Sequence, residues 1–299
     1  LERRDFTMNA LAYHPASGVV DVVGGVRDIR ENLVRCVGDP DRRFREDALR
    51  MLRALRFASV FGMDIDRATA QAIHRNRELL TEIAVERGQV ELTKLLCGVG
   101  ASRILGKYPE IIAHVLPHLE INGVSGAAEL IQADEEMVKN GYPKNPALRY
   151  ALLFSSLDEK QTADAMNSLK PSRDEKNAVM AFAKKRQGGL ELNKYAVKCL
   201  MRDVNDAFPG ELARYFRAAG SITEPELHCA EETAEEILKN DECRRVNQLC
   251  VGGQDMMALG LKGKQIGDTL ASLLDDVMRG SLENDRETLL HSAERRNNG

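Results

Sequence analysis

Apolar residues recur every three or four positions along most of the chain, which is the spacing of an amphipathic α-helix. Leu49, Leu52 and Leu55 show this spacing clearly, and helical patterns dominate from Arg27 onward. A mainly helical fold is therefore expected.

A short segment near the start has a different pattern. Residues 19–23 read VVDVV, a β-branched run that predicts a strand, and we expect it to be the only well-defined one. Segments rich in Gly, such as NGVSG at 122–126, predict the breaks between helices. The expected architecture is a small α/β piece followed by a long helical array.

The run RFREDALRMLRALRF at 43–57 sets charged residues among leucines. If it forms one continuous helix, Glu46, Asp47, Arg50 and Arg53 lie in one stripe, because positions three and four apart are neighbours on a helix. A carboxylate there only accepts hydrogen bonds, and a guanidinium only donates them. Surface ion pairs of little energetic value would produce the same spacing.

An acceptor beside a donor matches the pairing edge of two of the four bases. Cytosine and adenine present an amino donor beside a ring-nitrogen acceptor, whereas guanine and uracil present a carbonyl acceptor beside a ring N–H donor. Asp47 with Arg50 therefore fits C and A. With G or U, buried polar groups would stay unpaired at about 1–3 kcal/mol each. Spacing alone does not separate this hypothesis from simple ion pairing.

Length and composition set the outer limits of the interpretation. A chain of 299 residues, 43% hydrophobic, can bury a sizeable core and is long for one domain, so two or more modules are expected. No run approaches the roughly 18 consecutive apolar residues of a membrane span, so we expect no membrane association and a cytoplasmic location. Six cysteines without a C-x-x-C pair argue against a zinc site or a disulfide framework.

The basic residues are distributed unevenly. The formal net charge is −4, yet every cation before Lys94 is an arginine. Arginine presents a planar fork of donors that suits phosphates and base edges, whereas lysine is a point charge. The arginine-only region favours oriented recognition, although a compositional bias of the lineage would produce the same pattern.

Several segments, in their order along the chain, resemble the bacterial CCA-adding tRNA nucleotidyltransferases and their poly(A) polymerase relatives, the class II nucleotidyltransferases. The segments are RRDFTMNALAY (3–13), DVVGGVRDI (21–29), RCVGDPDRRFREDALRMLRALRFA (35–58) and ERGQVELTKLL (86–96). The resemblance is strong over about 1–120 and weaker over 245–299, which looks like the family's tRNA-binding tail. Between these regions it rests mainly on helicity.

The resemblance implies a mainly α fold, in which the remnant of an α/β nucleotidyltransferase head precedes an elongated helical neck, body and tail. The expected segments are 1–36 for the C-terminal part of the head, 37–120 for the neck with its base-templating helices, 121–245 for the body and 246–299 for the tRNA-binding tail.

The implied reaction is template-independent addition of CMP and AMP, from CTP and ATP, to the 3′ end of tRNA, with Mg²⁺ in the complete enzyme. A poly(A) polymerase, a relative that adds only CC or only A, and a catalytically silent RNA-binding module stay open as alternatives. A metal-dependent phosphohydrolase is disfavoured, because Ser155 and Ser156 stand where its His and Asp would fall.

The resemblance also implies roles for individual residues. Those expected to contact the nucleotide are Arg4, Asp5, Asn9, Asp47, Arg50 and Arg53. Those expected to support the site are Asp21, in a hinge, together with Glu46, Glu86 and Arg87. Gly88 is expected to loosen or kink the supporting helix, since Gly inside a helix costs about 1 kcal/mol relative to Ala.

Lys262 and Lys264 are candidates for binding tRNA phosphates, because a Gly-rich turn before a helix offers free backbone N–H groups beside the two ammonium charges. An ordinary solvated helix end would look the same.

In the family, the metal-binding carboxylates belong to a D-x-D strand motif upstream of RRDFT. No catalytic or metal-binding residue is therefore expected within this chain, and the chain alone is not expected to transfer nucleotides. The DID sequence at 64–66 is expected to form a turn and a helix cap instead.

Overall fold

The computed structural model describes residues 1, 3–16 and 18–297. Its contacts divide the chain into two units, Leu1–Gln187 and Gly188–Gly299. Most of the regular structure is helical, which confirms the mainly α prediction. Within the described residues, no helix has the length and apolar character needed to cross a membrane.

The first unit contains α-helices and short β-strands. They are β1 Leu11–His14, β2 Gly18–Asp21, α1 Gly25–Arg30, β3 Leu33–Val34, α2 Pro40–Glu46, α3 Leu49–Phe61, β4 Asp64–Ile65, α4 Arg67–Arg75, α5 Val85–Leu96, α6 Ala101–Lys107, α7 Pro109–Val115, α8 Ile121–Lys139, α9 Pro146–Leu153, α10 Glu159–Leu169 and α11 Arg173–Lys185.

The second unit is built from helices. They are α12 Lys194–Asp203, α13 Phe208–Ala218, α14 Glu224–Lys239, α15 Gly253–Ala258, α16 Lys264–Arg279 and α17 Arg286–Asn297. Apolar side chains of the last three helices, including Met256, Leu273 and Leu289, form a buried cluster. Val197 of α12 and Ile237 of α14 belong to another.

The strands are short and lie in two separate pairs. β1 and β2 form an antiparallel hairpin, whereas β3 and β4 pair in parallel, with Val34 opposite Ile65. The expectation of a single strand at 19–23 was therefore wrong in number and in boundary. Strands of two to four residues are too short to show a period in sequence, and β4 owes its conformation to pairing with a distant segment. The turn expected within 64–66 was wrong, because Asp64 and Ile65 form β4 by pairing with β3. Asp66, directly after β4, caps α4 as expected, with its carboxylate accepting from Ala68 N–H at 3.1 Å.

The predicted continuous helix through 46–57 was also wrong. α2 ends at Glu46, Asp47 adopts an extended backbone with φ −157° and ψ 104°, and α3 begins at Leu49. The Asp47 carboxylate accepts a hydrogen bond from the Leu49 N–H at 3.1 Å. Because a short acidic side chain can satisfy an amide at a helix start, Asp47 begins a new helix and does not continue the old one.

The break predicted at NGVSG was wrong for a different reason, since these residues form the first turns of α8. A Cβ added at Gly123 would lie 2.8 Å from the Ser156 hydroxyl. The glycine allows close packing of α8 and does not end a helix.

α3 is positioned by packing against α5. Leu52 and Leu55 of α3 and Leu92 of α5 are almost fully buried, and burial of each such side chain contributes roughly 1.5–3 kcal/mol. α5 continues as one helix through Gly88, where an added Cβ would be in ordinary contact with Leu52 at 3.8 Å. The helix is therefore not interrupted at Gly88, and a looser support at this position stays a prediction.

The N-terminal segment pairs through its backbone with the residues that precede α2. Phe6 and Cys36 form an antiparallel bridge, flanked by hydrogen bonds from Thr7 N–H to the Arg35 carbonyl at 2.9 Å and from Val37 N–H to the Asp5 carbonyl at 3.1 Å. This pairing places the RRDFT segment beside the loop that leads into α2.

Candidate functional site

Asp5 and Arg53 are 48 residues apart in sequence and form an ion pair. Arg53 donates from Nε at 2.8 Å and from Nη2 at 2.6 Å to Asp5 Oδ2, and Asn9 donates to Asp5 Oδ1 at 3.3 Å. Burial opposes ionisation of Asp5, but the hydrogen bond from Arg53 outweighs it together with the other bonds and holds its pKa below the usual value. Three predicted nucleotide-contacting residues thus form one hydrogen-bonded group.

Arg53 and its neighbour Arg56 share a second carboxylate. Glu91 of α5, whose side chain is 8% exposed, lies 2.8 Å from Arg56 Nε and 3.6 Å from Arg53 Nη1. The Arg56 guanidinium also lies over the Phe57 ring, 3.7 Å from its centre. Arg53 is therefore held between Asp5 on one side and Glu91 on the other.

Glu46 is surrounded by arginines. It accepts from Arg42 at 3.1 Å, from Arg43 at 2.8 Å and from Arg50 at 2.9 Å. The hydrogen bond from Arg50, followed by that from Arg43, lowers the pKa of Glu46 to about 2. Glu46 therefore stays ionised at neutral pH and fixes the direction of the Arg50 side chain.

Asp47 has different partners. Its Oδ2 accepts from Arg87 Nη2 at 3.2 Å, while its Oδ1 holds the Leu49 N–H. The neighbouring Glu86 accepts from Lys170 Nζ at 3.0 Å. The first turn of α5 therefore connects Asp47 on one side with the turn between α10 and α11 on the other.

The predicted pair Asp47 and Arg50 is thus close in sequence, but each side chain is bonded to another group. The two hydrogen bonds that Arg50 makes to Glu46 and to the Arg43 carbonyl both come from Nη1. Within the described part of the chain, its Nε and Nη2 donate to no other residue. Each oxygen of Asp47 has a second lone pair. An acceptor and a donor stay available for a base.

Asp21 caps a helix. Its Oδ1 accepts from the backbone N–H groups of Val23, Gly24 and Gly25, and its Oδ2 accepts from that of Val26 at 2.9 Å. The bond from Val26 is the largest influence that lowers the pKa of Asp21. Four amides at the start of α1 are held by one carboxylate; a hinge role for this residue stays a prediction.

Asp28 was not singled out by sequence, although it is 1% exposed. It accepts from the Thr7 hydroxyl at 2.7 Å and from Arg35 Nε at 3.1 Å. Gly25 contributes to the same contact, because a Cβ there would lie 2.1 Å from the Thr7 carbonyl oxygen. This network fixes the RRDFT segment against α1.

Glu91 is the most informative residue that sequence reasoning missed. It lies on the buried face of α5 with Gly88, Leu92, Leu95 and Leu96. A carboxylate at helical spacing within an apolar stripe needs a buried partner, and this pattern could have predicted an ion pair.

Arg4 is exposed near the start of the chain, and no hydrogen bond or ion pair among the described residues joins its side chain to the group around Asp5. Two clefts of about 320 and 250 Å³ flank α5. Neither is lined by a residue that the sequence predicts to contact the nucleotide, so the predicted site lies on a more open surface.

Cys36 lies next to this site. Burial raises the pKa of its thiol to about 12, and Asp5, Arg50 and Arg43 are near enough to influence it. A thiol with such a pKa is protonated at neutral pH and is a poor nucleophile.

In the second unit, Lys262 and Lys264 are exposed at the start of α16. Gly263 between them has φ 53° and ψ −124°, a backbone conformation that suits glycine. Among the residues that the structure describes, neither lysine forms an ion pair.

The described residues do not provide an arrangement for a bound metal ion. Across 1, 3–16 and 18–297, no group of three or more His, Cys, Asp or Glu side chains is placed to hold one. His118 is exposed, and His114 lies 3.6 Å from Glu78.

Family models match most of the chain. A model described as "tRNA nucleotidyltransferase domain 2 putative" matches 144–293. One described as "Poly A polymerase head domain" matches 1–35, and one described as "Probable RNA and SrmB- binding site of polymerase A" matches 62–120.

Relatives and a solved structure agree with these matches. The CCA-adding enzyme of Limosilactobacillus fermentum is 32% identical over 302 residues, which cover 98% of this chain and 70% of that enzyme. The CCA-adding enzyme of Bacillus licheniformis is 31% identical over 295 residues, which cover 97% of this chain and 70% of that enzyme.

The crystal structure of the Bacillus stearothermophilus CCA-adding enzyme in complex with CTP is 26% identical to this chain, with a TM-score of 0.82. The match covers 99% of this chain and 73% of that one. The resemblance found in the motifs is therefore confirmed, and the protein belongs to the CCA-adding enzyme family of tRNA nucleotidyltransferases.

Proposed function

We propose that this chain selects CTP and ATP for the addition of CMP and AMP to the 3′ end of tRNA. The observation that supports this most directly is the break between α2 and α3. It presents the Asp47 carboxylate and the Arg50 guanidinium within four residues, each held by partners of its own.

The partners matter because base selection depends on fixed directions. Arg87 and the Leu49 amide hold the carboxylate of Asp47, and Glu46 holds one end of the Arg50 fork. A donor and an acceptor that are already oriented discriminate better than mobile ones, since less conformational entropy is lost on binding. Cytosine and adenine fit this pair, whereas guanine and uracil would place donor against donor and acceptor against acceptor.

The triphosphate and sugar are assigned to Arg4 and Asn9 of the N-terminal segment and to Arg53 of α3. The positive charge of Arg53 is balanced by Asp5 and Glu91. Its remaining donors can therefore orient a phosphate oxygen without adding a large unpaired charge. Arg4 is exposed and supplies a more available positive charge. Asn9 is anchored through Asp5 and offers an amide to a sugar hydroxyl.

Lys262 and Lys264 are assigned to tRNA phosphates, because they are exposed beside the N-terminus of the 16-residue α16. The head, neck, body and tail boundaries and a cytoplasmic location remain predictions, as does the use of Mg²⁺. The residues described here do not fit a metal site, so the metal-dependent transfer step is assigned to none of them.

The first experiment measures equilibrium binding of CTP, ATP, GTP and UTP to the chain. CTP and ATP should bind more tightly than GTP and UTP, and Asp47→Ala should remove most of this preference. Arg45→Ala is a matched control, because Arg45 is an exposed arginine of α2 outside the proposed pair. Equal binding of all four nucleotides would contradict the proposal.

A second measurement separates the alternatives. Incorporation of labelled CMP and AMP onto tRNA lacking CCA tests transfer directly. Incorporation by this chain alone would contradict the prediction that the metal-binding carboxylates lie outside it. Binding of tRNA without any nucleotide preference would favour the RNA-binding module, and incorporation of AMP alone would favour an A-adding or poly(A)-adding relative.

A further inference from the structure

Lys170 has a backbone conformation that lysine rarely adopts. It follows α10 with φ 49° and ψ 47°, in the left-handed region, where glycine is the usual residue. A lysine at this position retains a side chain at a conformational cost that glycine would avoid. A use for the side chain would account for this.

The side chain reaches α5. Lys170 Nζ donates to Glu86 Oε1 at 3.0 Å, which connects the α10–α11 turn to the first turn of α5. That first turn has no side-chain cap, since Ala84 is at the capping position. Contacts made by residues such as Glu86 therefore contribute to its placement.

The next residue acts on the predicted selection site. Arg87 donates to Asp47 Oδ2 at 3.2 Å from the same turn of helix. Two consecutive residues of opposite charge thus contact two different parts of the first unit. A shift of this turn would move the group that orients Asp47.

We propose that Lys170 is a positioning residue for nucleotide selection, which acts through Glu86 and Arg87 on the Asp47 carboxylate. The inference rests on the proposed function and extends it to a residue of the α10–α11 turn, outside the motifs that carry the family resemblance.

The ion pair is exposed, with 62% of the Lys170 and 61% of the Glu86 side chain accessible. Exposed pairs contribute little to folding stability. The expected consequence of the contact is therefore a fixed orientation of the α5 turn. Its loss should alter selectivity while leaving global stability unchanged.

Lys170→Gly separates the two effects, because glycine relieves the left-handed backbone while the charge is lost. The midpoint of thermal unfolding should stay unchanged or rise. The ratio of CTP to UTP affinity, measured by calorimetry on the chain, should fall roughly three-fold, the size of effect that one exposed ion pair can have. Lys170→Arg should retain most of the preference.

Two controls sharpen the test. Asp241→Gly replaces another non-glycine residue with positive φ, 45°, in the second unit, and should leave the CTP to UTP ratio unchanged. Glu86→Gln should lower the ratio by itself and add nothing to Lys170→Gly, since both variants remove the same contact.

An unchanged ratio in Lys170→Gly, with a wild-type chain that prefers CTP, would overturn this inference and leave the proposed function intact. A lower ratio accompanied by a lower unfolding midpoint would also overturn it in favour of a purely structural role. A wild-type chain without any preference would contradict the proposed function, and this inference with it.

Discussion

The arginines around α3 and the lysines at the start of α16 differ in how they are held. Arg50, Arg53 and Arg56 each contact at least one carboxylate, and their side chains are at most 31% exposed. Lys262 and Lys264 are exposed and, among the described residues, form no ion pair.

This difference corresponds to two kinds of recognition. A planar guanidinium held by a carboxylate can present its remaining donors in one direction, which suits a base edge. A free ammonium group follows a phosphate without defining its orientation. The arginine region is therefore suited to discrimination between nucleotides, and the lysine pair is suited to affinity for RNA.

The largest expected effect tests whether carboxylates hold the arginine region together. Glu91→Ala should lower the free energy of unfolding by about 3 kcal/mol, because Arg56 would stay largely buried without its partner. Urea unfolding measures the change. Glu136→Ala, which breaks an exposed pair with Lys139 in the same unit, should leave the stability almost unchanged. Similar losses in both variants would contradict the comparison.

A smaller effect tests orientation directly. Arg50→Lys keeps the charge but loses the fork that both contacts Glu46 and offers free donors. CTP affinity should fall about ten-fold, which corresponds to the loss of one charged hydrogen bond of roughly 1.4 kcal/mol. Calorimetry measures the affinity, and Arg45→Lys on the exposed face of α2 serves as the control. Full retention of affinity would show that charge alone is sufficient at Arg50.

Replacing lysine by arginine in the second unit should have a smaller effect on binding. Lys262→Arg and Lys264→Arg should change tRNA affinity by no more than about two-fold, because a phosphate contact depends mainly on charge. Replacing either lysine by Ala should reduce the slope of log affinity against log salt by roughly one. Filter binding at several salt concentrations measures both. An unchanged slope after both Ala substitutions would exclude the lysines from the RNA interface.

The smallest effect concerns pH. The pKa of Glu46 is lowered from 4.5 to about 2. The stability that its ion pairs contribute is therefore present above pH 4.5 and is lost as the pH falls toward 2. Glu46→Gln lacks this contribution, so its unfolding midpoint should differ most from the wild type at neutral pH. The two midpoints should converge between pH 4.5 and 2 in thermal scans. A constant difference would contradict the assignment.

The sequence predicted the helical class and the cap at Asp66, because periodicity and capping are local properties. It did not predict β3 and β4, whose two-residue strands depend on each other. It also placed Glu46 and Asp47 on one helix, since the spacing of charges continues across a break that only the Asp47 backbone reveals.

The sequence predicted which residues form the candidate site, but it did not predict which side chains they contact. Asp5 and Arg53 were both selected from motifs, but their contact follows from the Phe6–Cys36 bridge, which no local pattern indicates. The contact between Lys170 and Glu86 joins residues 84 apart in sequence and depends on how the α10–α11 turn packs against α5. Long-range pairing of this kind needs the tertiary structure.

The burial of Cys36 has a practical consequence for spectroscopy. Its thiol is shielded beside the residues proposed to select the nucleotide, whereas Cys229 and Cys250 are exposed. A maleimide dye should therefore react faster at these two cysteines of the second unit than at Cys36. A dye on the second unit can thus report on tRNA binding while Cys36 stays unmodified.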